Sequence, residues 1–211
     1  MEGITTILFD IDGTVLNTGE FIIQATEHAL KEGGYEVPDR SIIAKTVGVH
    51  FPEYYFILAG RDADAEKLVE KHREFQYANY HLVQPFPSAV ETLKTLHKKG
   101  YKLAAVTTRS KKTSHQTLID AGIYELFDLV ISWEDVKEHK PHPEPLLKAL
   151  NFFNETPDKA VMVGDSHLDI QAGKNAGTKT VRAGYGFHKD NLHNPEPDFI
   201  IDDISDLLKI L

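Results

Sequence analysis

The second half of the chain, residues 101–211, alternates short apolar runs with helix-like segments, and this alternation constrains the fold more than any other feature. The runs cover 101–106, 127–132, 160–163 and 178–181, with a weaker one at 199–201. Helical segments are predicted between them at 110–120, 143–150 and 168–175, and residues 204–211 close the chain. Gly122 and Gly177 stand where helix C-caps would, and Pro143 suits a first helical turn. Strands this uniformly apolar, alternating with helices, belong to a parallel sheet covered on both faces. Residues 4–9 read as one more such strand at the N-terminus. The predicted class is therefore α/β, built on a Rossmann-like parallel sheet.

Residues 17–84 break the rhythm and read as several helices without a convincing buried strand. Ala65, Leu68, Phe75 and Leu82 recur at three- and four-residue multiples, as one helical face does. Pro85-Phe86-Pro87 then punctuates the chain, and Ser88 with Glu91 predicts a capping box opening a helix over 89–99. The domain organisation expected is an α/β core, 1–16 plus 85–211, interrupted by a helical insertion at 17–84 just after the first strand.

Composition narrows the partners. Among 211 residues, 23 Lys and Arg stand against 32 Asp and Glu, a net charge of −9 that repels nucleic acid and anionic membrane surfaces. No apolar run approaches the roughly 20 residues of a membrane span. Met1-Glu2-Gly3-Ile4 lacks the basic start of a signal peptide. With no cysteine there is no disulfide frame, thiol nucleophile or Cys-based zinc site, which fits a reducing cytosol. A soluble cytoplasmic protein is expected, with no nucleic-acid or membrane partner.

Chemistry concentrates at predicted strand ends. Asp10-Ile11-Asp12-Gly13-Thr14 follows the first strand, and carboxylates at i and i+2 point the same way, about 6.6 Å apart on an extended chain. That gap suits a reacting group held between a nucleophile and an acid. An Asp-rich turn would explain the pattern elsewhere, but the carboxyl end of a parallel strand is where such sheets bind ligands. Gly164-Asp165-Ser166-His167-Leu168-Asp169 ends a second strand, with Asp169 one helical turn beyond Asp165. Asp10, Asp12, Asp165 and Asp169 against one lysine leave three net negative charges, which would repel a phosphate unless a hard divalent ion, most simply Mg2+, joined them. Thr107 and Thr108 end a third strand and offer hydroxyl and N–H groups to an anion. Lys140 lies in Glu138-His139-Lys140-Pro141-His142-Pro143, where prolines restrict the backbone and aim the ammonium.

These four motifs, in this order, resemble those of the haloacid dehalogenase-type phosphohydrolase superfamily, over a core from Ile4 to about Ile201. The insertion is similar to the helical cap of the subgroup that holds phosphoglycolate phosphatases, β-phosphoglucomutases and small bacterial pyrophosphatases. The resemblance implies that Asp10 is a nucleophile forming an aspartyl-phosphate, Asp12 the general acid/base, Thr107 a phosphoryl-binding group and Lys140 a charge-neutralising one. It implies Mg2+ held by Asp10, the carbonyl of Asp12 and Asp165, with Asp169 in support. Lying beside other carboxylates, Asp12 is expected to hold a proton for the leaving group. The acid at position 12 argues for phosphoryl transfer, because the superfamily's dehalogenases lack it.

Specificity is written more faintly. Residues 134–146 and 162–180, and Thr107-Thr108-Arg109, look most like the pyrophosphatase branch, although many relatives carry Asn where Thr108 stands. Arg109 either clamps a second phosphate or is a solvated loop charge. Lys45 and His50 sit in a stretch resembling the cap loop that dips toward the site in relatives. The 11 histidines form no metal motif, and neither Gly184-Tyr185-Gly186 nor Gly173-Lys174 completes a nucleotide fingerprint. His72 falls on the apolar face of its helix and reads as a packing residue. The substrate expected is pyrophosphate or a small phosphomonoester such as phosphoglycolate. The rivals are a phosphosugar mutase and a non-catalytic phospho-ligand module.

Overall fold

A computed structural model describes residues 1–188 and 193–211. The strands are β1 (Thr6–Phe9), β2 (Leu16–Asn17), β3 (Gln84–Pro85), β4 (Lys102–Val106), β5 (Leu129–Ile131), β6 (Ala160–Gly164), β7 (Lys179–Ala183) and β8 (Phe199–Ile201). The helices are α1 (Gly19–Gly33), α2 (Arg40–Thr46), α3 (Glu53–Ala59), α4 (Ala65–Asn79), α5 (Ala89–Lys98), α6 (Lys111–Asp120), α7 (Glu144–Phe153), α8 (His167–Ala176) and α9 (Leu207–Ile210). The chain forms two compact units, one of Met1–Asn17 with Gln84–Leu211, the other of Thr18–Val83. Among the described residues no helix is long and apolar enough to cross a membrane.

The first unit is the α/β fold. Its sheet has the order β5-β4-β1-β6-β7-β8, with all pairs parallel. From β1 the chain builds outward through β4 and β5, then returns to the other side of β1 for β6, β7 and β8. The carboxyl end of β1 is thus the topological switch point, where open sheets of this kind leave a crevice for ligands. Phe9 is level with Ala105 on one neighbour and with Val163 on the other, so the three strands deliver their following residues at similar heights. Side chains alternate across the sheet. Leu8, Ala104, Val106 and Met162 meet Leu146 and Leu150 of α7 and Ala172 of α8. Burying a leucine this fully contributes about 1.5–3 kcal/mol. On the opposite face the Phe9 ring packs edge-on against Phe127, centroids 6.2 Å apart.

The capping box expected at Ser88 does not form. Ser88 does precede α5, but at φ +67°, and its side chain makes no cap hydrogen bond. Its position is set by the turn after β3, where Ala89 N–H reaches back to the Phe86 carbonyl. Gly177, at φ +81°, does end α8 in the left-handed conformation. The short antiparallel pair of β2 and β3 went unseen in the sequence, because two-residue strands carry no periodicity.

The second unit, α1 to α4, has its own core of Ala29, Leu30, Tyr54, Tyr55, Ala65 and Leu68. The buried face of α4 runs through Ala65, Leu68, His72 and Gln76. Phe75 is half-buried against Phe21, and Leu82 is 50% exposed because the helix has ended at Asn79. His72 does pack inside, its Nδ1 2.8 Å from the Tyr55 hydroxyl.

Candidate active site

Asp10 leaves β1 with its backbone N–H bonded to the Val163 carbonyl, so the sheet ladder places it at the switch point. Lys140 reaches it from the segment between β5 and α7. Its Nζ donates to Asp10 Oδ1 at 2.6 Å, Asp169 Oδ1 at 2.6 Å and the Val106 carbonyl at 3.0 Å. All three donors of this buried ammonium are used. Asp169 sits in the first turn of α8, where the Ser166 backbone N–H and hydroxyl both donate to its Oδ2. Ser166 in turn caps the helix by accepting from Asp169 N–H, a capping box made of site residues.

Asp165 follows β6 and is packed on two sides by glycine. A Cβ at Gly13 or at Gly186 would collide with its side chain, and one at Gly164 would strike Asp169. Gly13 also needs its φ of +76°, which lets the chain turn back so that its N–H meets the Leu16 carbonyl. The Phe187 and His188 N–H groups donate to Asp165 Oδ2 at 2.7 and 3.4 Å.

Asp10, Asp165 and Asp169 each offer a carboxylate oxygen within 4.8 Å of the others. Burial, reinforced by the neighbouring carboxylates, pushes the Asp10 carboxyl well up, against the pull of Lys140. Burial and Asp169 raise Asp165 to about 7, against its two backbone donors and Arg182. Asp169 lies below the usual carboxylate range, because Lys140 and Ser166 outweigh its burial. Lys140 is likewise held above the ordinary lysine value by Asp10 and Asp169 despite burial. An all-oxygen donor set whose carboxyls repel one another fits a hard divalent cation such as Mg2+. Asp10 and Asp165 are its best-placed side chains, since both oxygens of Asp169 are already engaged.

Two expectations are corrected by Arg109. Its Nε donates to Asp12 Oδ2 at 2.6 Å and its Nη2 to Asp12 Oδ1 at 2.7 Å, a two-pronged ion pair, while Nη1 reaches Thr117 Oγ1 at 3.2 Å. The Arg109 side chain is only 9% exposed, so it is no solvated loop charge. Asp12 is not simply one carboxylate among others, and a guanidinium fork favours its ionised form. The loop carrying Arg109 is pinned by Thr107, whose N–H bonds the Ile131 carbonyl and whose Oγ1 accepts from Arg109 N–H at 3.1 Å. Thr108 beside it is half-buried.

The third correction is to the charge. Arg182, in β7 level with Gly164, is fully buried, and the charges of Asp165 and Asp169 act on it favourably. Its Nη2 donates to the His188 carbonyl, while Nε and Nη1 have no hydrogen-bond partner among the described residues. Four carboxylates therefore face Lys140, Arg109 and Arg182, leaving one net negative charge instead of three. Arg182 escaped the sequence reading because the expected strand stopped at 181, and charge inside an apolar run signals a partner only once that partner is seen. Ser166 is also missed in the sequence, where the Ser166-x-x-Asp169 spacing is the available signal, and Gly186 enters it only as part of an incomplete nucleotide fingerprint.

Lys45 and His50 belong to the second unit, both exposed. Lys45 lies in the last turn of α2, and the His50 ring lies 6.5 Å from that of Phe51.

Comparison with known proteins gives the family. A family model for haloacid dehalogenase-like hydrolases matches residues 7–183. The chain belongs to that family. It is 37% identical over 210 residues to the pyrophosphatase PpaX of Bacillus cereus strain G9842, covering 99% of this chain and 96% of the relative. It also superposes on the crystal structure of a predicted phosphoglycolate phosphatase from Haemophilus somnus 129pt, with a TM-score of 0.92, 26% identity, and coverage of 100% and 99%. A candidate β-phosphoglucomutase from Thermotoga maritima shares the fold, with a TM-score of 0.81 at 20% identity over 99% of this chain and 100% of that one. The chain is thus a phosphatase of the haloacid dehalogenase-like family.

Proposed function

We propose that the chain is a Mg2+-dependent phosphatase working through an aspartyl-phosphate on Asp10, with inorganic pyrophosphate its first substrate and phosphoglycolate or a similar small phosphomonoester its second. The observation that carries this reading is Asp10 at the switch point, 2.6 Å from a buried lysine and within a cluster of carboxylates. The pyrophosphatase relative, matched over nearly its whole length, supports the choice of substrate.

Lys140 occupies Asp10 Oδ1, so attack on phosphorus is assigned to Oδ2. As the Oδ2–P bond forms, the bond from phosphorus to the leaving oxygen breaks, and that oxygen takes the proton that Asp12 picks up from solvent once it is out of the Arg109 fork. Water then attacks the aspartyl-phosphate, gives a proton to Asp12, and releases phosphate with the Asp10 carboxylate restored. Thr107 holds the transferred oxygens, and Lys140 neutralises charge on Asp10 and on the phosphoryl group. Asp10, Asp165 and the Asp12 carbonyl would hold Mg2+, which when bound supplies positive charge to the phosphoryl oxygens. Asp169 fixes Lys140. The second unit serves as a cap, with Lys45 and His50 as its specificity residues.

The test is phosphate release from pyrophosphate, phosphoglycolate and glucose 1-phosphate, with Mg2+ and with chelator, for wild type and Asp10→Asn. Pyrophosphate is expected to lead in kcat/KM, with metal and Asp10 both required. Release that survives Asp10→Asn overturns the mechanism. A burst that stalls until a sugar bisphosphate is added moves the assignment to a mutase.

A further inference from the structure

Arg109 presents its Nε–Nη2 edge to Asp12, and the same edge matches a phosphate or a substrate carboxylate equally well. The guanidinium does not depend on Asp12 alone for its place. Nη1 is tied to the buried Thr117 of α6, and the loop behind it is pinned through Thr107 and through Trp133, whose N–H bonds the Arg109 carbonyl at 2.8 Å. The fork is therefore held by the scaffold, and its occupant is a short side chain with two rotatable bonds.

We propose that Asp12 is an internal placeholder for the substrate's second anion. A phosphoryl compound whose leaving group carries its own negative charge takes the Arg109 fork, and the Asp12 carboxylate is displaced from it to face the leaving oxygen. Arg109 thereby becomes the specificity-determining residue for the class that pyrophosphate and phosphoglycolate share. Esters with a neutral leaving group cannot make the exchange and meet a site in which Asp12 stays clamped. This inference deepens the proposed phosphatase reading and rests on it for the catalytic consequence, though not for the binding step.

The test separates the two. Binding of methylenebisphosphonate, which cannot be hydrolysed, is measured calorimetrically with Mg2+ present for wild type, Asp12→Asn, Arg109→Gln and the double variant. Arg109→Gln is expected to weaken it about tenfold or more, the size of one lost charge-assisted contact. Asp12→Asn is expected to tighten it about threefold or more in the wild-type background, because the internal competitor has gone, and to have little effect once Arg109 is absent. Equal tightening in both backgrounds would mean simple charge repulsion and would overturn the exchange. So would Arg109→Gln binding as tightly as wild type.

3-Phosphonopropionate, an unreactive counterpart of phosphoglycolate, goes through the same cycle, and the larger coupling identifies which second anion the fork prefers. Inorganic phosphate is expected to show no coupling; coupling as large as the bisphosphonate's would place Arg109 on the transferred group and sink the proposal. Should Arg109→Gln fail to fold, Arg109→Lys keeps the charge without the fork and is expected to show a smaller version of the same loss. Kinetically, Arg109→Gln lowers the kcat/KM ratio of pyrophosphate to p-nitrophenyl phosphate about tenfold or more, whereas a purely structural arginine would lower both together. A wild type that hydrolyses neither pyrophosphate nor phosphoglycolate defeats the functional reading and leaves the binding cycle to decide the exchange.

Discussion

At the scale of single residues, the buried ammonium of Lys140 and the buried carboxylates around it are each other's solvation. Removing one member strands the others, and breaking such a pair from one side costs about 3–5 kcal/mol. Lys140→Met is expected to lose that much stability in urea denaturation at neutral pH and to lose phosphate release altogether. A variant within 1 kcal/mol of wild type, about the uncertainty of such a comparison, would show that the carboxylates relax at little cost. Gly186 is constrained differently, by space. A methyl group there enters the volume of the Asp165 side chain and approaches the Gly13 carbonyl. Gly186→Ala is expected to cost about 1–3 kcal/mol through overpacking and to reduce turnover by displacing Asp165. Full activity in that variant would show that Asp165 has room to move.

At the scale of elements, α8 joins helix stability to the site, because Ser166 is both its cap and a donor to Asp169. Ser166→Ala is expected to lower thermal stability by about 1 kcal/mol, as cap loss does, and to lower kcat more than it raises KM because Asp169 guides Lys140. Far from the site, the start of β8 is tied to β7 by Asp198, which accepts from Lys179 Nζ at 3.0 Å and from the Thr180 N–H and hydroxyl at 2.9 Å. Burial pushes that carboxyl up, but these hydrogen bonds outweigh it and leave it below the usual range. A folded pKa below the unfolded value of about 3.9 means that the stabilisation is complete above that value and is lost as pH falls through the folded one. Wild type should therefore exceed Asp198→Asn in stability at pH 7, with the gap closing in acid. A gap that stays constant down to that range would remove the carboxylate from the account.

At the scale of the whole molecule, Asn17 and Gln84 are paired across β2 and β3, so the two points where the second unit joins the first lie side by side. Replacing residues 18–83 by an Asn-Gly turn is expected to leave a first unit that unfolds cooperatively by calorimetry; a broad, probe-dependent transition would show that the core relies on the insertion. The apolar runs, the break at 17–84 and the four motifs were legible because each depends on neighbours in sequence: periodicity, punctuation and short spacings. Asp10, Thr107, Lys140 and Asp165 could be picked out from their place at predicted strand ends. The strand order that makes β4 and β6 the flanks of β1 was not legible, since it depends on which apolar surfaces bury one another. Neither was the Arg109–Asp12 pair, which joins residues 97 positions apart. Nor could Arg182 be counted under the carboxylates, or Gly186 against Asp165. The chain by itself determined which groups stand at the ends of strands. Folding decided which charges meet, because an ion pair's worth depends on distance and burial, and only the packed sheet supplies those.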